Sequence, residues 1–232
     1  MNENERQVEI LQVLQEVGAV IRNDHLVYTS GKHGSTYINK DAVYPYPHMV
    51  AKLCEMIAQY FYTEDIAYDV VVGPEKGGII LAQWTAYYSQ QKNDPILAVY
   101  AEKEKPQDSR LYREFGLGKP LEEFFTFHRG YDRLITGKKV LIVEDVLTTG
   151  GSVKKVVEAV RAIGGKVVGV GALCNRGEVS TGSLGNVPTL YALLNLHIES
   201  WLEDECPLCK EGKPVNLDVG KGREFIARKA QA

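Results

Sequence analysis

The chain has 232 residues, of which 25% are charged and 44% are hydrophobic, and its formal net charge is −3. This balance provides no basic field of the kind that nucleic-acid-binding proteins carry, and no apolar run approaches the ~18–20 residues that a membrane helix needs. Because the N-terminal Met-Asn-Glu-Asn-Glu-Arg also lacks the basic and apolar regions of a signal peptide, we expect a cytoplasmic protein that binds neither nucleic acid nor membrane.

The first sixty residues predict two helices separated by an irregular stretch. A helix is predicted over residues 5–22 and a second one over residues 48–62. Residues 26–40 between them are polar and rich in turn-forming residues. The apolar residues that recur at helical spacing in the first helix are Ile10, Leu14, Val17 and Ile21.

From residue 69 onward the apolar pattern alternates between strands and helices. This alternation is typical of an α/β fold with a mostly parallel twisted sheet flanked by helices. The predicted strands cover residues 69–73, 96–100, 139–144, 167–173 and 189–194. The predicted helices cover residues 79–88 and 153–163.

The two ends of the chain fall outside this alternation. We expect a single domain over residues 1–232, with its core sheet in about 41–195 and a small cap formed by residues 1–40 and 196–232. Segment 101–138 is highly charged and separates two predicted strands, and loops of that length are often functional lids. The residues that could form a short helix within this segment are Leu121, Phe124, Phe125 and Phe127.

The most informative motif is the segment from Val140 to Ser152. Val140 to Val143 form a continuous apolar run, which is typical of a strand covered on both faces. Two acidic residues and a turn rich in hydroxyl groups and glycines separate this strand from the next predicted helix. The motif therefore lies where open α/β sheets bind their ligands, at the carboxyl end of a strand.

The residue types of this turn indicate a ligand that carries a phosphate beside a diol. Glycines expose successive N–H groups and a helix N-terminus adds partial positive charge, so the turn can hold a phosphate. Carboxylates would repel that anion unless sugar hydroxyls or Mg²⁺ lay between them, and a ribose 5-phosphate unit meets this condition. Neither a Walker A loop nor a complete dinucleotide fingerprint occurs in the sequence. The candidate residues are Glu144, Asp145, Thr148, Thr149, Gly150, Gly151 and Ser152.

The segment Val140–Ser152 closely resembles the phosphoribosyl pyrophosphate (PRPP) loop of type I phosphoribosyltransferases. Four further segments resemble parts of the orotate phosphoribosyltransferases: residues 29–39, 70–78, 102–105 and 172–178. The resemblance implies that these are, in that order, a substrate segment, a pyrophosphate loop, the start of the catalytic lid and a base-recognition segment. Phe127–Tyr131 and the late Cys-x-x-Cys are similar to a variant found in several thermophilic and deep-branching bacteria.

This resemblance implies a Mg²⁺-dependent reaction. The 5-phosphoribosyl group would pass from PRPP to orotate, giving orotidine 5′-monophosphate and pyrophosphate in pyrimidine (UMP) biosynthesis. Mg²⁺ would be held mainly by oxygens of PRPP, as is usual for this ion. The family also implies a homodimer in which the lid serves the active site of the neighbouring subunit.

The resemblance also implies roles for individual residues. Lys103 and Lys105 on the lid, with Asp145, would be the catalytic residues, the lysines stabilising charge on the departing pyrophosphate. Lys76 would contact the pyrophosphate, and Arg176 would grip the orotate carboxylate. The substrate segment would contribute Thr29, where many relatives have a lysine, and Tyr37, which either stacks on the pyrimidine or packs its own segment. Residues 106–126 resemble an insertion in the lid, which lacks the Lys-x-His that often follows the first lysines.

Two other functions remain open at this stage. A phosphoribosyltransferase for a purine, adenine or xanthine, would share the PRPP loop, but it would not need the carboxylate-binding Arg176. A PRPP-sensing regulator would bind without catalysis, but such a protein usually carries a basic DNA-binding domain, and the lid lysines favour an enzyme.

The four cysteines fall into two groups. Cys206 and Cys209 have the spacing of half a zinc knuckle, and zinc needs four ligands. His197 is a candidate third ligand, a symmetric dimer could supply two cysteines from each chain, and two unmetallated thiols are the alternative. Cys54 and Cys174 are expected in the core. The lone histidines His33 and His128 are expected to be structural or exposed.

Overall fold

The computed structural model describes residues 3–28, 30–89, 95–105, 123–196 and 199–230. The chain divides into two compact units. The terminal unit consists of residues 1–49 and 197–232, and the sheet unit consists of residues 50–196. The organisation as a single domain with a terminal cap stays a prediction.

The elements follow one another in this order. The first are α1 (Glu3–Glu16), β1 (Val20–Ile21), β2 (Leu26–Val27), β3 (His33–Gly34), β4 (Tyr37–Ile38), a short 3-10 helix (Lys40–Ala42) and α2 (Pro47–Thr63). They are followed by β5 (Val70–Pro74), α3 (Gly77–Tyr88), β6 (Leu97–Glu104), β7 (Phe124–Thr126), α4 (Tyr131–Ile135), β8 (Lys139–Leu147), α5 (Gly151–Ala162), β9 (Lys166–Asn175) and β10 (Leu190–Asn195). The last two are α6 (Pro207–Lys210) and α7 (Gly222–Lys229).

Helix α1 is shorter than the apolar spacing predicts. It ends at Glu16, and Gly18 follows with a left-handed φ of +68°. The N–H of Ala19 donates to the carbonyl of Leu14 at 2.8 Å, which is the bond that closes a glycine-terminated helix. The extension of the helix to residue 22 is therefore wrong, and Ile21 lies in β1 instead, paired with Tyr37 of β4.

The sheet unit contains a six-stranded sheet in the order β10-β9-β8-β5-β6-β7. All neighbours are parallel except β7, which runs antiparallel to β6. The chain passes from β5 to β6 on one side and later returns to place β8 on the other side of β5. This reversal creates a switch point between the carboxyl ends of β5 and β8. The predicted α/β fold with a mostly parallel sheet and flanking helices is confirmed.

Helix α5 is held against the sheet by one apolar face. Its buried residues lie in the same core cluster as the central strands, and each fully buried valine contributes on the order of 1.5–3 kcal/mol. This packing fixes the helix N-terminus at the carboxyl edge of the sheet, where the predicted phosphate turn begins. The buried residues of α5 are Val153, Val156, Val157 and Val160.

The predicted lid segment, residues 101–138, contains the end of β6 and all of β7, and these two strands pair antiparallel. Lys103 of β6 is paired in register with Phe125 of β7. The predicted short helix is wrong for residues 124–126, because Phe125 and Phe127 are buried in alternation with partly exposed neighbours, as in a strand. Leu121 and the rest of segment 106–122 lie outside the described residues. No helix within the described ranges is long and apolar enough to cross a membrane.

Two buried thiols and one buried phenol predict that the protein loses stability at alkaline pH. Burial raises the pKa of the Cys54 and Cys174 thiols, and that of the Tyr68 phenol, each to about 12. The folded chain therefore keeps protons that the unfolded thiols lose above their ordinary pKa of 9.0. As pH rises from there towards 12, the free energy of unfolding should fall by up to ~1.4 kcal/mol per pH unit for each group.

Urea denaturation at a series of pH values measures this fall. A variant with both Cys54→Ala and Cys174→Ala retains only the tyrosine and should lose stability less steeply over the same range. Equal slopes for the variant and the wild-type chain would mean that the thiols titrate normally in the folded state.

Candidate functional site

The turn after β8 forms an exposed surface at the N-terminus of α5. Gly150 precedes α5 with a φ of +74°, and a Cβ there would meet Leu184 at 2.7 Å, so only glycine fits. Thr148, Thr149, Gly151 and Ser152 are all exposed. The Gly151 N–H donates to Thr149 Oγ1 at 3.4 Å. The N–H groups of the first turn of α5, the hydroxyl groups and the helix dipole converge here, as phosphate binding requires.

The two acidic residues at the end of β8 are held by the backbone beside this turn. Glu144 is half-buried, and its Oε1 accepts a hydrogen bond from the Asp145 N–H at 3.0 Å. Asp145 is only 3% exposed, and its Oδ1 accepts from the Val146 N–H at 2.6 Å. Each carboxylate is therefore oriented by a backbone donor, and a carboxylate group can accept several hydrogen bonds at once.

The turn after β5 is the neighbour of this surface, because β5 and β8 are paired in parallel, with Val72 opposite Ile142. Its Glu75 N–H donates to the carbonyl of Ala101 in β6 at 3.0 Å, and the peptide bond between Glu75 and Lys76 is cis. Lys76 is exposed directly before α3 begins. An ammonium group is thus available at the switch point.

The segment after β9 contacts the turn after β8. The Arg176 N–H donates to the carbonyl of Leu147 at 3.0 Å, and its guanidinium Nε donates to Thr148 Oγ1 at 3.4 Å. The Asn175 side chain braces the segment, donating to the Val179 carbonyl at 2.9 Å and accepting from the Val179 N–H at 3.0 Å. The predicted base-recognition arginine and the predicted phosphate turn therefore lie together.

The base of the lid carries its lysines in different surroundings. The ammonium of Lys103 forms an ion pair with Glu123, and this pairing lowers the pKa of the Glu123 carboxyl. Lys155 of α5 donates to the Glu123 carbonyl at 2.8 Å. Lys105 is exposed and is the last residue before the undescribed part of the lid. Exposed ion pairs contribute little free energy, so Lys103 can exchange Glu123 for another anion at small cost.

Two segments that the sequence singled out separately meet at this lid base. Arg129 forms an ion pair with Glu102, and its guanidinium lies 5.7 Å from the centre of the Tyr100 ring. His128 Nε2 lies 2.9 Å from Glu104 Oε1. The charged residues that open the lid are therefore tied to those that precede β8.

The remaining predicted site residues belong to the terminal unit or lie outside the described residues. Tyr37 is half-buried in β4. Thr29 and His197 fall outside the described residues. Cys206 and Cys209 lie beside two histidines, His25 and His33, that sequence reasoning did not connect with them. No sequence signal links the two histidines with the two cysteines. About 170 residues separate the two pairs, and the spacing of the histidines is not a known metal-binding motif.

Comparison with known proteins agrees with this site. The phosphoribosyl transferase domain family matches residues 39–181, which include the turns after β5 and β8. Solved structures support the same fold: an orotate phosphoribosyltransferase of Mycobacterium tuberculosis H37Rv has a TM-score of 0.58 at 20% identity and covers 82% of this chain and 97% of its own. An adenine phosphoribosyltransferase of Thermoanaerobacter pseudethanolicus reaches 0.57 at 18% identity, covering 80% and 99%. Fold and site thus define a phosphoribosyltransferase.

Sequence relatives narrow this class. The orotate phosphoribosyltransferase of Caldanaerobacter subterraneus subsp. tengcongensis is 35% identical over 213 residues, which is 92% of this chain and 95% of the relative. That of Chlorobium phaeobacteroides is 31% identical over 218 residues, or 94% and 98%. The chain belongs to the orotate phosphoribosyltransferase family. The resemblance predicted from the motifs is confirmed, and so is the assignment to the transferases.

The contact between Gly177 and the phosphate turn yields a steric prediction. A Cβ at Gly177 would lie 1.5 Å from the Thr148 carbonyl oxygen, so Gly177→Ala must push the two segments apart. We expect the KM for PRPP to rise by roughly tenfold or more, because misplacement of a positioning segment by about 1 Å is costly. Gly182→Ala is the matched control, since its Cβ would meet nothing closer than 3.7 Å.

Steady-state kinetics on both variants, with circular dichroism to verify folding, measure the effect. Equal KM values for PRPP in the folded Gly177→Ala variant and the control would show that this contact does not shape the phosphate turn.

Proposed function

We propose that this chain transfers the 5-phosphoribosyl group from PRPP to orotate, yielding orotidine 5′-monophosphate and pyrophosphate for pyrimidine synthesis. The single observation that carries the proposal is the contact of Arg176 with Thr148. This contact places a guanidinium, which can bind a carboxylate, beside a turn suited to a ribose phosphate. A carboxylated base and PRPP require these two groups to lie close together.

In this proposal the carboxyl edge of the sheet binds PRPP. The turn from Thr148 to Ser152 holds the 5-phosphate through N–H groups and hydroxyls. Glu144 and Asp145 accept hydrogen bonds from the ribose hydroxyls, which keeps the carboxylates from facing the phosphate directly. Lys76 meets a pyrophosphate oxygen with its ammonium group.

Arg176 supplies specificity for the base. Its planar guanidinium can donate two parallel hydrogen bonds to the orotate carboxylate, which a purine does not offer. Tyr37 and Thr29 are proposed to complete the base pocket from the substrate segment. The curated relatives are named for orotate, whereas the structural likeness to an adenine enzyme, at 18% identity, concerns the fold alone.

The chemistry requires positioning and electrostatics rather than a covalent intermediate. Orotate N1 attacks C1′ of PRPP while the bond from C1′ to the pyrophosphate oxygen breaks, and the pyrophosphate leaves with the bonding electrons. Orotate is already an anion, so no proton has to be removed. Lys103 and Lys105 stabilise the charge on the leaving group when the lid closes, and closure excludes water that would hydrolyse PRPP.

Mg²⁺ is the proposed cofactor for this step. Mg²⁺ keeps most of its ligands as water and substrate phosphate and uses one or two protein carboxylates. The half-buried Glu144 and the oriented Asp145 fit that need, because their carboxylate oxygens can serve both the ribose hydroxyls and the metal. When bound, Mg²⁺ would neutralise charge on the pyrophosphate. Zinc at Cys206 and Cys209 is a separate proposal with its own ligands.

Homodimer formation, with each lid serving the partner's site, is the proposed assembly. A cytoplasmic location, and the lack of nucleic-acid or membrane partners, stay predictions. The net charge of −3 is consistent with a small anionic substrate drawn by local lysines rather than by a basic surface.

The assay that tests the function follows the ultraviolet absorbance of orotate in the presence of Mg²⁺ and PRPP, with adenine and xanthine in parallel. We expect orotate loss that depends on PRPP, and Asp145→Asn should lower kcat by ~100-fold or more. Arg176→Gln should raise the KM for orotate by ~10–100-fold, which is the loss of one charge-assisted pair, and affect PRPP much less.

Arg133→Ala, an exposed arginine of α4, is the control and should be unchanged. Turnover of a purine in place of orotate would retain the PRPP site and reject the role of Arg176. If the wild-type chain binds PRPP but turns over no base, the proposed enzyme activity is rejected in favour of a PRPP-sensing regulator.

The sharing of lids is tested by mixing two inactive variants. Lys105→Ala disables a lid and Asp145→Asn disables a PRPP site. If each lid serves the partner's site, a hybrid dimer contains one intact site, and free exchange of subunits should restore about a quarter of wild-type activity.

A mixture of Asp145→Asn with Glu144→Gln is the matched control, because every hybrid site then carries one defect in the same turn. No recovery in the first mixture, with hybrid formation verified by mass spectrometry, would mean that each lid acts on its own subunit.

A further inference from the structure

We propose that His25, His33, Cys206 and Cys209 form a structural zinc site within a single chain. Their four ligand atoms all lie within 4.8 Å of one another, inside the terminal unit. The site needs neither His197 nor a second chain, because four ligands satisfy a tetrahedral zinc ion. The inference rests on this geometry and is independent of the proposed function.

Four of the six distances between the ligand atoms are close to those of a zinc tetrahedron. His25 Nε2 lies 2.9 Å from His33 Nδ1, 3.7 Å from Cys206 Sγ and 3.6 Å from Cys209 Sγ. Cys209 Sγ lies 3.3 Å from His33 Nδ1. Zinc bonds of the usual length separate tetrahedral ligand atoms by about 3.3–3.8 Å, so each of these edges agrees to within about half an ångström.

The hydrogen bond of His25 Nδ1 leaves the other ring nitrogen, Nε2, available to bind a metal. Its Nδ1 lies 2.6 Å from the backbone carbonyl of Lys213 and must donate, because a carbonyl only accepts. The neutral ring is then unprotonated at Nε2, the atom that faces the cluster. A ligating histidine characteristically donates its other N–H to a carbonyl or carboxylate in this way, which fixes its orientation.

The cysteines are presented by a tight turn. Cys206 directly precedes α6, and Cys209 lies within it. The Lys210 N–H donates to the Cys206 carbonyl at 3.2 Å, and the Gly212 N–H donates to the Cys209 carbonyl at 3.1 Å. This wrapping places both sulfurs on one side of the turn. The Lys213 N–H then donates to the Leu208 carbonyl at 2.9 Å, which positions the Lys213 carbonyl for His25.

The histidines come from the other end of the chain. His33 lies in β3 and exchanges two backbone hydrogen bonds with Trp201, at 2.8 and 2.9 Å. Its ring packs edge-on against Phe225 of α7, with ring centres 4.8 Å apart. The metal would therefore clamp the β2–β3 hairpin to the C-terminal segment, which are joined in the sequence only through the whole sheet unit.

The burial of the ligands assigns a structural rather than a catalytic role. His25, His33 and Cys206 are at most 1% exposed, and Cys209 is half-buried. With four protein ligands, no coordination position is left for a substrate. Two thiolates and two imidazoles in a tetrahedron favour zinc over the hard cations, which prefer oxygen ligands.

Metal analysis of the full-length protein tests the site directly. After growth with zinc and gel filtration without chelator, plasma mass spectrometry should find about one zinc per chain, since the described residues contain one cluster of four such ligands. Reconstitution of metal-free protein with Co²⁺ should give the visible bands of tetrahedral cobalt and a thiolate-to-cobalt charge-transfer band.

Single variants assign the ligands. Cys209→Ser and His25→Ala should each lose the bound zinc and the tetrahedral cobalt spectrum. Cys54→Ala and His48→Ala should keep both, because Cys54 lies in the sheet unit and the exposed His48 is not a member of the cluster. Orotate turnover is not the readout, so failure of the site and failure of the proposed function are distinguishable.

Chelation covers the case in which a ligand variant fails to fold. A strong zinc chelator added to the wild-type chain should lower the melting temperature, and zinc but not Mg²⁺ should restore it. Zinc below about a tenth of an equivalent, with no cobalt charge-transfer band in reduced wild-type protein, would overturn the proposal. Half an equivalent of zinc per chain would replace it with a site shared between two chains.

Discussion

The burial of Val140–Val143 in β8 is the constraint on which the site depends. These four residues are fully buried, and β8 is paired on one side with β5 and on the other with β9. A strand held on both edges and covered on both faces resists sliding, because a shift by one residue would draw the charged Lys139 or Glu144 at its ends into the buried core. The end of β8 is therefore fixed, and with it the start of the turn that follows.

Three strands that run in the same direction deliver their loops to one edge. Lys76 and Arg176 lie in the loops after β5 and β9, and Asp145 lies near the end of β8, so that residues far apart in the sequence reach one edge. The backbone bond from Arg176 to Leu147 shows how closely two of these loops are joined. In the proposed site, the cations serve an anionic substrate and the carboxylates serve its hydroxyls, and Asp145 and Arg176 are each oriented by a hydrogen bond. Preorganisation of this kind is what a reaction catalysed by electrostatics and position requires.

The two units solve the problem of stability in different ways. The sheet unit has a continuous apolar core that extends from β5 to β10. Besides α1, the terminal unit has two-residue strands and the short helices α6 and α7, which provide little backbone pairing of their own. Small cores are often reinforced by a metal, and the His25, His33, Cys206 and Cys209 cluster lies where the two ends of the chain meet in this unit. A zinc ion there would supply the constraint that local pairing does not.

The sequence by itself determined the sheet and its central turn, because local pattern is sufficient there. Val140–Val143 can only be a buried strand, and the acids, hydroxyls and glycines that follow specify a phosphate turn before a helix. The prediction from sequence was wrong at two places. Gly18 ends α1 early, and Phe124–Thr126 form a strand rather than part of a helix.

Only the tertiary structure decided which distant groups share a site. It placed Arg176 against Thr148, paired Lys103 with Glu123, and brought His25 and His33 to the two cysteines. No periodicity or motif spacing in the sequence indicates these contacts, because each joins segments that only the packing of the fold brings together. Local pattern fixes elements, whereas long-range packing fixes which of their ends meet.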